Sequence, residues 1–164
     1  MRRITISTVG LPAAIRKLAR HHVHYHLAIS LHAPNDELRS RLVPINRKTG
    51  LKQLMDAADE YFDVSGRRLT YEYVLLADIN DQPDHAHQLV RLLRGRAALL
   101  NVIPMNPVTD LPYRTPDTYR SEQFRQILES GGLTVQFRQR RGEDIEAACG
   151  QLRRSGGADR AVAT

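Results

Sequence analysis

Apolar positions along the chain alternate between two periods. Short runs of alternating or continuous apolar residues occur at 3–7 (RITIS), 26–31 (HLAISL), 69–76 (LTYEYVLL), 98–103 (ALLNVI) and 133–138 (LTVQFR), and each predicts a β-strand. Between them apolar residues recur at three- and four-residue spacing. That spacing predicts helices at 12–20 (PAAIRKLAR), 35–42 (NDELRSRL) and 51–64 (LKQLMDAADEYFDV), then from Asp81 and Pro83 to Arg94, and from Asp117 to Ser130. Pro12 suits a first helical turn, and Gly66, Gly95 and Gly131-Gly132 stand where helices should stop. The segment RQRRGEDIEAACGQL predicts a loop and then a short helix.

Strands alternating with helices across short loops define an α/β class with a parallel sheet of about five β-α units. Such a sheet is either open and doubly wound or part of a (β/α) barrel, and both place their chemistry where the strands end. Polar residues do gather there. Ser7-Thr8 close the first strand and Ser30-Leu31-His32 the second; Asn106 follows the fourth, in IPMNP, and Arg140-Arg141-Gly142 and Cys149 follow the fifth. After the third strand only ADINDQ appears, with no comparable cluster. The expected organisation is one domain over 1–154 and a frayed tail at 155–164 (SGGADRAVAT).

Composition narrows the chemistry. No apolar run approaches the ~20 residues of a membrane span, and MRRITISTVG lacks a signal-peptide apolar region, so the expectation is a cytoplasmic protein with no membrane partner. Cys149 is the only cysteine, which excludes an intrachain disulfide and leaves a thiolate metal site dependent on ligands from elsewhere. The net charge of +6 is carried mostly by arginine, whose planar fork suits phosphate. Arginines recur at Arg67-Arg68, at Arg91, Arg94 and Arg96, and from Arg138 to Arg141; the last group flanks the strand ends and suits RNA phosphates, the others a solvated surface. The run HHVHYH lies at the entry to the second strand, away from these ends, and has no neighbouring carboxylate to complete a metal site. Glu72 sits between Tyr71 and Tyr73 in an apolar strand, which requires a hydrogen-bonded structural role or a place lining a cavity.

In order, the strand-end segments read RITISTVG, ISLHAPNDELRSRLVPINR, YEYVLLADINDQPDHAHQL, NVIPMNP and RGEDIEAACGQL. This set resembles the radical SAM adenine-C2 methyltransferases of 23S rRNA and tRNA, from Arg2 to Leu152, and is similar throughout to the C-terminal half of such a protein. The resemblance implies the C-terminal part of a partial (β/α) radical SAM barrel. It implies S-adenosylmethionine contacts at Ser7, at Ser30-Leu31-His32 and at Asn106, and a methyl-carrying catalytic cysteine at Cys149. Glu146 stands where the family has aspartate, and Met105 where an aromatic is common. The family's CxxxCxxC loop for a [4Fe–4S] cluster, its N-terminal accessory domain and its upstream basic glutamate have no counterpart here, so the chain reads as an incomplete fragment, inactive alone.

The chemistry implied is methylation of an inert C–H carbon. A cysteine thiolate first takes a methyl group from one S-adenosylmethionine, and a second is cleaved reductively by the cluster, which in the full-length enzyme needs an electron donor. The small residues around Cys149, in AACG, let a ligand approach closely, and Arg140 and Arg141 favour thiolate. Taken singly, Ser7, Ser30, His32 and Asn106 fit ordinary turn chemistry better; four of them at strand ends, matching one family, favour cofactor contact. Two alternatives stand beside this reading: adenine-C8 methylation within the same family, and a non-catalytic basic RNA-binding β/α module.

Overall fold

A computed structural model of the chain describes residues 4–21, 25–106 and 111–138. In chain order the elements are β1 (Thr5–Thr8), α1 (Pro12–Ala19), β2 (His26–Ser30), α2 (Asp36–Leu42), α3 (Asn46–Ser65), β3 (Leu69–Leu75), α4 (Pro83–Leu93), β4 (Ala98–Pro104), α5 (Thr118–Ser130) and β5 (Val135–Phe137). All five strands are parallel and lie in sequence order, β1-β2-β3-β4-β5. The expected strands and helices are therefore present, most with ends shifted by a residue or two, with a shorter β5 and with α3 starting five residues before the expected Leu51. The predicted short helix before Leu152 lies outside the described residues.

The monotonic strand order decides between the two expected architectures. A doubly wound sheet reverses direction part-way and so carries helices on both faces. Here every crossover steps the same way, and with one handedness that sends successive helices to one face. The core follows this layout. Leu27, Ile29 and Leu31, then Tyr71, Tyr73 and Leu75, then Leu100 and Val102 alternate onto the helical face, against Ile15 and Ala19 of α1, Leu54 and Ala58 of α3, Leu89 and Leu93 of α4 and Phe124 and Leu128 of α5. The opposite face carries Thr5 and Ser7, Ala28 and Ser30, Thr70, Glu72 and Val74, and Leu99, Asn101 and Ile103. This is the wall of a barrel segment with helices outside.

Two glycines are dictated by geometry. Gly50 (φ 70°, ψ 162°) breaks α3, and the Leu51 N–H that opens the following turns is capped by Asp36 Oδ1 at 2.7 Å. That is why the apolar period becomes helical at Leu51. Gly10 (φ +92°) follows β1, and a Cβ there would stand 2.8 Å from Leu54 and 3.2 Å from Arg39 Nη2. At the opposite end of the strands Arg96 clamps α3 with a two-pronged ion pair, Nε and Nη2 each 2.9 Å from an Asp59 oxygen. Arg96 is thus an interelement tie and not the free surface arginine expected. No helix among the described residues is long and apolar enough to cross a membrane.

Candidate functional site

The strand ends on the β2–β3 side are held by a buried guanidinium. Arg39 of α2 is fully buried. Its Nε donates to the Leu31 carbonyl at 3.1 Å, and its Nη2 donates to the carbonyls of Ser30 at 3.0 Å and Val9 at 2.8 Å. Its Nη1 donates to Asn46 Oδ1 at 2.7 Å, and Asn46 Nδ2 in turn donates to Asp36 Oδ1 at 2.8 Å. One planar fork thus gathers the backbone beyond β1, the end of β2 and the start of α3, which a lysine point charge could not do. Burial lowers the Arg39 pKa from its ordinary value, and nearby Asp36 opposes that shift.

A second tie comes from the segment after β3. Asn80 is fully buried and spends its amide three times: Nδ2 donates to the His32 carbonyl at 2.9 Å and to the Val74 carbonyl at 2.8 Å, and Oδ1 accepts from the Leu76 N–H at 2.7 Å. Tyr73 Oη donates to the Asn80 carbonyl at 2.7 Å. The ADINDQ segment, which shows no cluster as sequence, therefore contributes through Asn80 by locking the turn after β2. Sequence reasoning missed both Arg39 and Asn80. Arg39 reads as one more arginine on a short helix, and Asn80 as one more turn residue.

The turn itself is Ser30-Leu31-His32. The Leu31 and His32 N–H groups both donate to the Glu72 carbonyl, at 2.9 and 3.2 Å, continuing the β2–β3 ladder past its end. Leu31 packs its side chain in the core, and its two backbone groups are used by Glu72 and Arg39. His32 adopts φ 56°, in the left-handed region that non-glycine residues seldom occupy. The ties to Arg39 and Asn80 hold it there. Its Nδ1 accepts the Val74 N–H at 3.1 Å, so the neutral ring must carry its proton on Nε2. Burial, with the Arg39 charge second, pushes the His32 pKa down to about 4. At neutral pH His32 is an uncharged ring whose Nε2–H is a fixed donor.

The other expected residues lie along the same rim. Ser7 is exposed on β1, in register with Ala28 on the face without helices. Ser30 is half-buried on that face, in register with Glu72. Asn106 is exposed just beyond β4, after Met105, whose N–H donates to the Leu75 carbonyl at 3.0 Å and whose carbonyl accepts from Thr115 Oγ1 at 2.5 Å. Ser30 and His32 are thus joined in one rigid turn, while Ser7 and Asn106 flank it on other strands. Cys149, Arg140 and Arg141 lie outside the described residues.

This rim offers hydroxyl, imidazole N–H and amide groups around a turn whose backbone is already satisfied, a donor set suited to a polar nucleoside such as S-adenosylmethionine. It does not fit an iron–sulfur cluster. Such clusters are held by several thiolates, and the chain has one cysteine. Among the described residues no group of three or more His, Cys, Asp and Glu side chains is placed to hold a metal ion.

No protein-family model matches the chain. Over 156 residues it is 64% identical to a "Probable dual-specificity RNA methyltransferase RlmN" of Rhodopirellula baltica, covering 95% of this chain and 42% of the relative. The crystal structure of a radical SAM methyltransferase from Sphaerobacter thermophilus superposes with a TM-score of 0.86 at 48% identity, over 92% of this chain and 44% of that one. A domain of pyruvate-formate lyase-activating enzyme from Bacteroides vulgatus shares the fold alone, with a TM-score of 0.63 at 15% identity over 84% of this chain. The chain spans less than half the length of the relatives it matches so closely, and it resembles the C-terminal half of the radical SAM RNA methyltransferases, as its motifs imply.

Proposed function

We propose that the chain is the cofactor-facing C-terminal part of a radical SAM methyltransferase that places a methyl group on C2 of an adenine in 23S rRNA and tRNA. The observation that carries this reading is the rigid Ser30-Leu31-His32 turn at the strand ends, in a chain 64% identical to a relative named as an RNA methyltransferase. On this reading Ser7, Ser30, His32 and Asn106 hold S-adenosylmethionine, Leu31 anchors the turn between Ser30 and His32 from the core side, and Cys149 is the catalytic methyl carrier. RNA is bound on the basic side near Arg138, and the protein works in the cytoplasm. A [4Fe–4S] cluster, with its electron donor, would be supplied by residues this chain does not contain.

When bound, S-adenosylmethionine supplies a sulfonium methyl and, with a reductant, a carbon radical. The residues present have positioning work to do. His32 keeps Nε2–H as a neutral donor, which suits a hydroxyl or ring nitrogen of a nucleoside and adds no second positive charge beside a sulfonium. Arg39 takes up the carbonyls of Val9, Ser30 and Leu31, so these acceptors keep a fixed geometry without a ligand. A rigid first contact limits the ordering cost on binding.

The test is a chimera. Residues 2–152 replace the matching region of the Rhodopirellula baltica relative, and RNA from cells that lack the native activity is digested and read by mass spectrometry. The expected product is 2-methyladenosine, lost in a Cys149→Ala chimera. A soluble chimera that yields 8-methyladenosine moves the assignment to C8, and one that yields no methyladenosine refutes the proposal.

A further inference from the structure

The face of the sheet without helices carries one polar row. Ser30, Glu72, Asn101 and Gln136 occupy the same register position on β2, β3, β4 and β5. Side chains in register on adjacent strands stand about 4.8 Å apart. Glu72 lies between Tyr71 and Tyr73, and Asn101 between Leu100 and Val102; those flanking residues all face the helices, so both polar side chains point the other way. The row sits two residues inside the level of Val74, the residue to which His32 is bonded. It is the floor beneath the rim.

Two members of this row lack what a structural polar residue has. Asn101 is 8% exposed, and its Oδ1 is sealed from solvent with no hydrogen-bond partner. Glu72 is half-buried and forms no ion pair among the described residues. An orphaned amide in the middle of a buried strand is costly, and leucine or valine would serve packing better. The Glu72 carboxylate beside it supplies a second acceptor, so Asn101 Oδ1 and Glu72 stand side by side as acceptors on adjacent strands.

We propose that Glu72 and Asn101 form a binding subsite for an N–H-bearing group of the nucleoside ligand, an inference that rests on the S-adenosylmethionine reading above. Glu72 accepts through its carboxylate and Asn101 through Oδ1, from one nitrogen lowered from the rim to the floor. Two groups of such a ligand share this chemistry: the α-ammonium of its amino-acid end and the 6-amino group of its adenine.

Calorimetric titration of the full chain with S-adenosylhomocysteine and with 5′-methylthioadenosine, which keeps the adenine but has no ammonium, tests this. Glu72→Gln and Asn101→Leu are each expected to weaken S-adenosylhomocysteine binding at least tenfold. Weakening confined to S-adenosylhomocysteine assigns the subsite to the ammonium, and equal weakening of both ligands assigns it to the adenine amino group. Asn101→Leu is also expected to keep or raise the melting temperature, since it removes an unpaired amide. A lower melting temperature for that variant, or S-adenosylhomocysteine affinity within twofold of the parent in both variants, overturns the subsite. A parent chain that binds neither nucleoside overturns the cofactor reading, and the subsite with it.

Discussion

Replacing Arg39 by methionine keeps most of the side-chain volume and removes the fork. Four acceptors lose the Arg39 donor, the carbonyls of Val9, Ser30 and Leu31 and the Asn46 amide oxygen, and of these the Leu31 carbonyl keeps the Ala33 N–H at 2.8 Å. A buried acceptor left unpaired costs roughly 1–3 kcal/mol, which summed over the other three sites would rival the whole stability of many domains. Partial relaxation lowers that sum, since Val9 is exposed and the freed strand end can admit water. Measured losses for breaking buried charged networks, about 3–5 kcal/mol, set the more realistic scale. With a urea m-value of about 2 kcal/mol per molar, the unfolding midpoint should fall by roughly 2 M. Arg39→Lys keeps the charge but offers one nitrogen in place of three, so its midpoint should lie between the two. The assay is urea unfolding followed by far-UV circular dichroism. An Arg39→Met midpoint within about 0.5 M of the parent would refute the argument, because the strand-end carbonyls would then have other partners.

Two further outcomes follow from the packing and the ionisation. His32 has a folded-state pKa of about 4 against 6.5 when unfolded, so between these values the unfolded chain binds the extra proton. The contribution is complete above pH 6.5, falls as pH drops, and is lost at pH 4, by about 3 kcal/mol for this one group. The fall in urea midpoint from pH 7 to pH 4.5 should therefore be smaller in His32→Gln than in the parent; equal falls would mean that the ring is not held neutral. At the contact between α4 and α5, a Cβ on Gly131 would stand 2.3 Å from Val90 Cγ2. Gly131→Ala should cost about 1–3 kcal/mol by overpacking, and Val90→Ala should recover much of it in a double-mutant cycle. Additive melting shifts would show that the two residues do not meet.

The amino-acid sequence determined the order and kind of elements, because local burial leaves a local trace. Leu27, Ile29 and Leu31 alternate along β2 and Ile15 and Ala19 recur along α1, so each element announces its apolar face before any neighbour is known. It also determined the rim, since the parallel class alone sends Ser7, Ser30, His32 and Asn106 to strand ends, and the long motif segments tied those positions to one family. Only the tertiary structure decided that the helices share one face, because that depends on strand order, which leaves no period in the chain. It alone separated Arg39 from the other arginines and Asn80 from other turn residues: Arg39 reaches partners up to 30 positions away, and Asn80 up to 48. The same holds for Glu72 and Asn101, adjacent in register though 29 residues apart. A polar side chain's role is set by which partner it finds or lacks, and at such separations that partner is chosen by the packing of whole elements.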